Sequence, residues 1–190
     1  MISIRRARPS DATAIGAVHV AAWRSAYAGL LPDEYLAGLS VVRHASVYGR
    51  GIADRSEGHA IFVAVASGAD APPGREAGMV VGFSSGGRAR RPSMAEGEVE
   101  TLYLLDDYRD RGVGRRLMRA MAAHLAAVGC RSAMLWVLAA NPTRWFYQHL
   151  GGRLMAHEVI HFAGMALPQT AFGWDPIDSL LAATAPAREG

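Results

Sequence analysis

Two carboxylates, Glu98 and Glu100, stand two positions apart in a stretch where apolar and β-branched residues alternate with polar ones. That alternation predicts a strand. On a regular strand such neighbours share a face, so either could serve one site as a base, and a bulge would change which one reaches it. Downstream, Arg109-x-x-Gly112-x-Gly114 leads into an amphipathic helix. A glycine-rich turn between strand and helix aims unpaired backbone N–H groups, and the partial positive charge of the helix end, at one point. Arg109, Arg111, Arg115 and Arg116 surround that turn. The combination is a cradle for a pyrophosphate or another polyanion.

Several chemistries are excluded by what is missing. The chain has no lysine; all 20 of its basic residues are arginine. Schiff-base chemistry, a pyridoxal-phosphate lysine and a Walker-type phosphate lysine are therefore ruled out. Any anion must be held by backbone N–H groups and guanidinium forks. A dinucleotide fingerprint would need an acid at the end of the following strand, where this chain has Ala139-Ala140-Asn141. His157-Glu158-Val159-Ile160-His161 spells the zinc-protease pattern, but Val-Ile-His-Phe favours a strand. Two histidines four apart on a strand lie roughly 13 Å from each other, too far to share a metal, so no metal site is expected. The single cysteine, Cys130, excludes an intrachain disulfide and a cysteine-based zinc cluster. It reads as a small buried apolar residue, with no base beside it to support a covalent acyl-enzyme.

The elements that must position these groups follow from hydrophobic period and punctuation. At 190 residues, 51% hydrophobic and 19% charged, the chain suits one globular domain. No apolar run is long enough to span a bilayer and the first residues lack a signal-peptide core, so a cytoplasmic protein is expected. Residues 2–6 read as a strand. Pro9-Ser10-Asp11 opens a helix stopped by Gly29, on which Trp23 and Tyr27 lie one turn apart, either as core aromatics or as a pocket wall. A short helix opens at Leu31-Pro32, and Ser40 caps a third that reaches about residue 54. Residues 59–66 and 79–84 read as a hairpin around a loop at 67–78. Residues 86–97 read as a second loop carrying Arg88, Arg90 and Arg91.

The strand from residue 98, a helix over 112–128 and a strand over 131–138 form a crossover unit. It implies a parallel pair with the anion site at its carboxyl end. Asn141-Pro142 opens a short helix closed by Gly151 or Gly152, and residues 153–162 and 169–174 are the last strands. The expected architecture is an α/β domain over residues 1–175, with a mixed, mostly antiparallel sheet of about seven strands. Residues 176–190 are expected to form a partly disordered tail with one weak helical turn.

The turn at 109–114, taken with the block from Trp136 to Gly152 (Asn141 after a strand, Phe146-Tyr147 on the next helix, then Leu-Gly-Gly), resembles the GNAT superfamily of acyl-CoA-dependent N-acyltransferases. The likeness is most specific over residues 98–152. It extends more weakly to the helix carrying His19, Trp23 and Tyr27, to Leu31-Pro32, and to the final hairpin. The resemblance implies that the parallel pair splays apart to admit acetyl-CoA. Backbone N–H groups from Arg109 through Asp110, Arg111, Gly112, Val113 and Gly114 to Arg115 would hold the pyrophosphate. Leu102, Tyr103 and Leu104 would pair with the pantetheine arm, Asn141 would contact it, and Tyr147 would sit near the thioester sulfur.

Acyl transfer to an amine needs a base for the ammonium proton, a donor for the oxyanion and a proton for the departing thiolate. Glu98 or Glu100 could supply the first, with Glu98 favoured, and Tyr147 the last. Trp23, Tyr27, Tyr35, Phe172 and Trp174 are expected to border the pocket for a small-molecule or peptide amine. A homodimer through the last strands is a further implication of the resemblance. Two other readings stand beside this one: a catalytically silent acyl-CoA sensor, and nucleic-acid binding through Arg88, Arg90 and Arg91. The net charge of only +3 weighs against nucleic acid, and no such partner is expected.

Overall fold

Seven strands form one sheet in the computed structural model, which describes residues 1–54 and 58–186. The strands are β1 (Ile2–Arg6), β2 (Ala60–Ala66), β3 (Met79–Arg88), β4 (Gly97–Leu104), β5 (Ala133–Leu138), β6 (Arg153–Phe162) and β7 (Met165–Trp174). Their order is β1-β2-β3-β4-β5-β7-β6. Every neighbouring pair is antiparallel except β4 and β5, which are parallel. The helices are α1 (Ala12–Ala26), α2 (Asp33–Ala37), α3 (Val41–Ala53), α4 (Val113–Ala127), α5 (Arg144–His149) and α6 (Asp178–Ala183). Ser40 caps α3 by accepting from the Arg43 N–H at 3.3 Å.

The parallel pair opens almost as soon as it forms. Only Gly97 with Ala133 and Glu98 with Met134 are in register, and beyond them β4 and β5 part. β5 instead pairs along its whole length with β7. At the point of parting, the register of β3 and β4 slips: Gly86 faces Val99 and Ser85 faces Thr101, leaving Glu100 as an extra residue. A bulge of this kind bends its strand and raises the local twist, which carries β4 away from β5.

Helices cover both faces. The crossover helix α4 lays Leu117, Met118, Met121 and Leu125 on one face, all fully buried, with Val99, Leu135 and Phe172 beneath them. On the other face α1 and α3 pack Ile15, Val18 and Tyr48 against Ile61, Val63 and Phe83. A second apolar cluster there gathers Tyr27, Leu31 and Leu36 with Trp23, Phe162 and Leu167.

Two expectations are corrected. The loop assigned to 86–97 is strand as far as Arg88. Gly86 and Gly87 are there because the sheet is crowded, not because the chain turns: a Cβ on Gly86 would meet the Glu98 carbonyl oxygen at 2.5 Å, and one on Gly87 the His59 Cα at 3.1 Å. β7 begins at Met165, earlier than the predicted 169, and pairs with β6 through Phe162 and Met165. The segment beyond residue 175 carries the expected helical turn as α6, and that turn packs on the core. Ile177 and Leu180 are buried, and α6 is tied to α4 by the Arg119 guanidinium on the Leu181 carbonyl at 2.8 Å. The turn itself is legible in the sequence; its docking on α4 is a contact between distant segments that a short apolar pattern does not encode.

Among the described residues, no helix is long and apolar enough to cross a membrane.

Candidate active site

The gap between β4 and β5 is a cleft of about 570 Å³ that passes through the sheet. Leu102 and Leu104 pack with the α4 side, whereas Tyr103 packs with the α1 side. The cleft therefore has two mouths. One meets the N-terminus of α4, where Arg109, Asp110, Gly112, Gly114 and Arg115 line it; the other meets α1, where Trp23 and Tyr27 line it. Asn141 and Tyr147 also line it, as do Leu102, Tyr103 and Leu104.

At the α4 mouth the backbone is shaped for the turn. Asp110 and Gly112 both have positive φ, 56° and 72°. The first bond of the helix runs from the Arg116 N–H to the Gly112 carbonyl at 3.2 Å. The N–H groups of Val113, Gly114 and Arg115 lie ahead of it and point out of the helix end. Gly114 sits between Phe146 and Leu104, both walls of the cleft, at distances where a Cβ would make only ordinary contact, 3.4 and 3.5 Å. Arg109 is paired with Asp106 at 2.9 Å, Arg111 with Asp70 at 2.5 Å, and Arg115 donates to the Ala185 carbonyl at 2.8 Å. Arg111 and the buried Val113 side chain flank the cleft without lining it.

The two carboxylates part company. Glu98 is 3% exposed and is not among the lining residues. Its carboxylate accepts from the Arg90 guanidinium at 2.5 and 3.2 Å and from the Arg90 backbone N–H at 3.1 Å. Glu100 lines the cleft. Its Oε2 accepts from His59 Nε2 at 3.1 Å and from the Ser85 hydroxyl at 3.4 Å. The bulge is visible in this contact set. Ser85 also shares a 2.7 Å hydrogen bond with Thr101, so consecutive residues of β4 reach the same partner. Desolvation, the largest influence, pushes the Glu100 carboxyl up. The His59 hydrogen bond and charge, the Arg90 charge and the Ser85 hydroxyl together still hold it below its ordinary value. The hydrogen bond to Glu100 in turn raises the His59 imidazole, against desolvation.

Tyr147 is buried on α5. Burial, with a smaller contribution from Tyr27, pushes its hydroxyl well above the usual phenol range, so it stays protonated and can donate. Asn141 is fixed by the Thr143 N–H and hydroxyl on its Oδ1, at 2.9 and 2.8 Å, and its amide donates to the Tyr27 hydroxyl at 3.2 Å. That bond ties the α1 wall to the loop before α5.

The expected acceptor wall is only partly present. Trp23 and Tyr27 line the cleft. Tyr35 stands behind it, its ring 5.1 Å from that of Phe162. Phe172 and Trp174 are core residues, 2% and 1% exposed, and the Trp174 indole donates to the Leu150 carbonyl. On β7 they point to the α4 face; Leu167 and Gln169, of opposite parity, face the cleft together with Ile160 and Phe162 of β6. Parity could have indicated this, but which parity faces the cleft depends on how β7 pairs. His59 carries no sequence signal, lying 41 positions from Glu100. The three arginines of the nucleic-acid reading are engaged within the fold: Arg88 on the Val128 carbonyl, Arg90 on Glu98, and Arg91 on Glu158 and over Trp136. The His157–His161 segment is strand β6, as predicted.

Comparisons with known proteins bear on the family and the fold. Residues 57–151 match the model of the acetyltransferase (GNAT) domain. Over 181 residues the chain is 30% identical to YuaI of Bacillus subtilis, named as an uncharacterized N-acetyltransferase, covering 95% of this chain and 96% of YuaI. The PaiA N-acetyltransferase from Thermoplasma acidophilum, solved in complex with coenzyme A, shares the fold with a TM-score of 0.65 at 18% identity, over 90% of this chain and 98% of that one. So does yncA from Salmonella typhimurium, solved with its cofactor acetyl-CoA, with a TM-score of 0.65 at 19% identity, over 92% and 94%.

Proposed function

Because this chain belongs to the GNAT family and is an N-acetyltransferase, we propose that it moves an acetyl group from acetyl-CoA to a primary amine by direct attack. The observation that carries the reading is the cleft itself, which joins an anion cradle to a carboxylate and a buried tyrosine. The chain's groups fit CoA. The α4 N-terminus offers N–H donors to the pyrophosphate. The edge of β4 past Glu98, left without a strand partner by the splay, offers backbone groups to the amides of the pantetheine arm. The apolar side chains of Leu102, Leu104 and Phe146 give that arm a dry wall.

The amine arrives as an ammonium and has no lone pair until a proton leaves. Glu100, ionised and facing the cleft, takes that proton directly or through a water. The bulge displaces Glu98 from this role: its carboxylate is committed to Arg90 and does not line the cleft. The free amine attacks the thioester carbon, and a backbone N–H of the unpaired β4 edge stabilises the tetrahedral oxyanion. As the N–C bond forms and the C–S bond breaks, Tyr147 donates to the leaving thiolate and recovers the second proton of the nitrogen. Amide and free thiol are the products.

The test follows thiol release from acetyl-CoA with a panel of primary amines, alongside the thermal stability of the protein with and without CoA. Release with at least one amine is expected. A protein stabilised by CoA that acetylates none of them would instead be an acyl-CoA sensor.

A further inference from the structure

The α1 mouth of the cleft has a composition that selects among amines. Its walls are Trp23 and Tyr27 from α1, Ile160 and Phe162 from β6, and Leu167 and Gln169 from β7. The rings are packed into one surface, with Trp23 4.9 Å from Tyr27 and 5.8 Å from Phe162 between centroids. Charge is scarce there. Among the described lining residues the only cations are Arg109 and Arg115, and the only carboxylates are Asp110 and Glu100. The first three belong to the α4 mouth, on the far side of the sheet. Glu158 lies on the same strand as Ile160 and Phe162, but it is outside the lining and already holds the Arg91 guanidinium at 2.7 and 3.1 Å and the Gln169 amide at 2.6 Å.

From this we infer that the acceptor is a primary amine on an uncharged apolar body, an arylalkylamine in class, rather than an amino acid or a polyamine. The inference rests on the acetyl-transfer reading above and narrows it. An α-carboxylate beside the amine would enter an apolar mouth with no cation to meet it, and a charge buried without a partner is strongly disfavoured. The second ammonium of a polyamine would find no carboxylate beyond the one that must take the reacting proton. An aromatic or alkyl body is instead buried against Ile160, Phe162 and Leu167. The ammonium, while still charged, is attracted to the ring faces and to Glu100.

The experiment compares phenethylamine, phenylalanine and spermidine as acceptors with the full chain and saturating acetyl-CoA, following thiol release. Phenylalanine is phenethylamine with a carboxylate added, so the pair isolates that charge. The kcat/KM for phenethylamine is expected to exceed that of either competitor by at least ~100-fold. A Phe162→Ala variant is expected to raise the KM for phenethylamine about tenfold while leaving that for acetyl-CoA unchanged. Equal or better turnover of phenylalanine or spermidine overturns the assignment and leaves acetyl transfer standing. So does a Phe162→Ala variant with an unaltered KM for phenethylamine. Failure of every amine in a wider panel overturns acetyl transfer itself, and the acceptor class with it.

Discussion

Glu98 and Glu100 are two residues apart on one strand, yet they stand in different surroundings. Glu98 sits where β4 is still paired on both sides, is all but removed from solvent, and holds the Arg90 main chain and side chain in place. Glu100 sits one step further, at the bulge, where β5 has left and a cleft has opened. Its partners, His59 and Ser85, leave it facing the space where an amine would arrive. Chemical identity and strand spacing are the same for both. Backbone register decides which is held by Arg90 and which lines the cleft.

The comparison is most directly broken by exchanging each acid for its amide. Glu100→Gln is expected to lower kcat by about 10²- to 10⁴-fold, with the thermal shift produced by CoA retained. Glu98→Gln is expected to leave turnover near that of the parent protein. Its effect should appear in stability, where weakening the contacts to Arg90 costs ~1–3 kcal/mol, read as a lower Tm. If the two variants exchanged these phenotypes, the roles assigned here would be reversed.

Tyr147→Phe comes next, with kcat reduced about 100-fold and CoA binding intact. Unchanged turnover would remove the hydroxyl from the proton path.

The partner of Glu100 supplies a subtler test. His59 is raised above its ordinary value, so the stability it contributes is complete below a pH of about 6.5 and is lost as pH rises through the raised value. Glu100 is lowered, so its contribution is present above a pH of about 4.3 and is lost as pH falls through the lowered value. The Tm difference between the parent protein and His59→Gln should therefore be greatest in the window between those two pH values and shrink on the alkaline side. Removing the imidazolium also removes one of the influences holding Glu100 down. The acidic limb of the kcat/KM profile should move to higher pH in His59→Gln, and an unmoved limb would uncouple the two groups.

The smallest effect is expected at Gly112, whose φ of 72° an alanine adopts only under strain while meeting nothing within 4 Å. Gly112→Ala should cost roughly 1–2 kcal/mol, seen as a modest fall in Tm and a weaker thermal shift with CoA.

Local chemistry was enough to determine a good deal of this protein. The glycine turn before α4, the absence of lysine, the cap at Ser40, the strand at residues 153–162 and the parallel pair all follow from residue types and periods that act within a few positions. So does the placement of Asn141 and Tyr147 just after β5. Other features were decided only in three dimensions. The bulge that brings Glu100 rather than Glu98 to the cleft is a matter of register between β3 and β4, and no local pattern encodes an offset against another strand. The strand character of Gly86 and Gly87 comes from the close approach of the Glu98 carbonyl and His59, neighbours that the sequence does not name. Which face of β7 lines the cleft, and so why Leu167 and Gln169 stand where Phe172 and Trp174 were expected, depends on its pairing with β5. The meeting of His59 with Glu100 depends on β2 lying beside β3. Each of these is a contact between segments distant in the chain, and packing free energy, unlike propensity, belongs to the pair of segments rather than to either one.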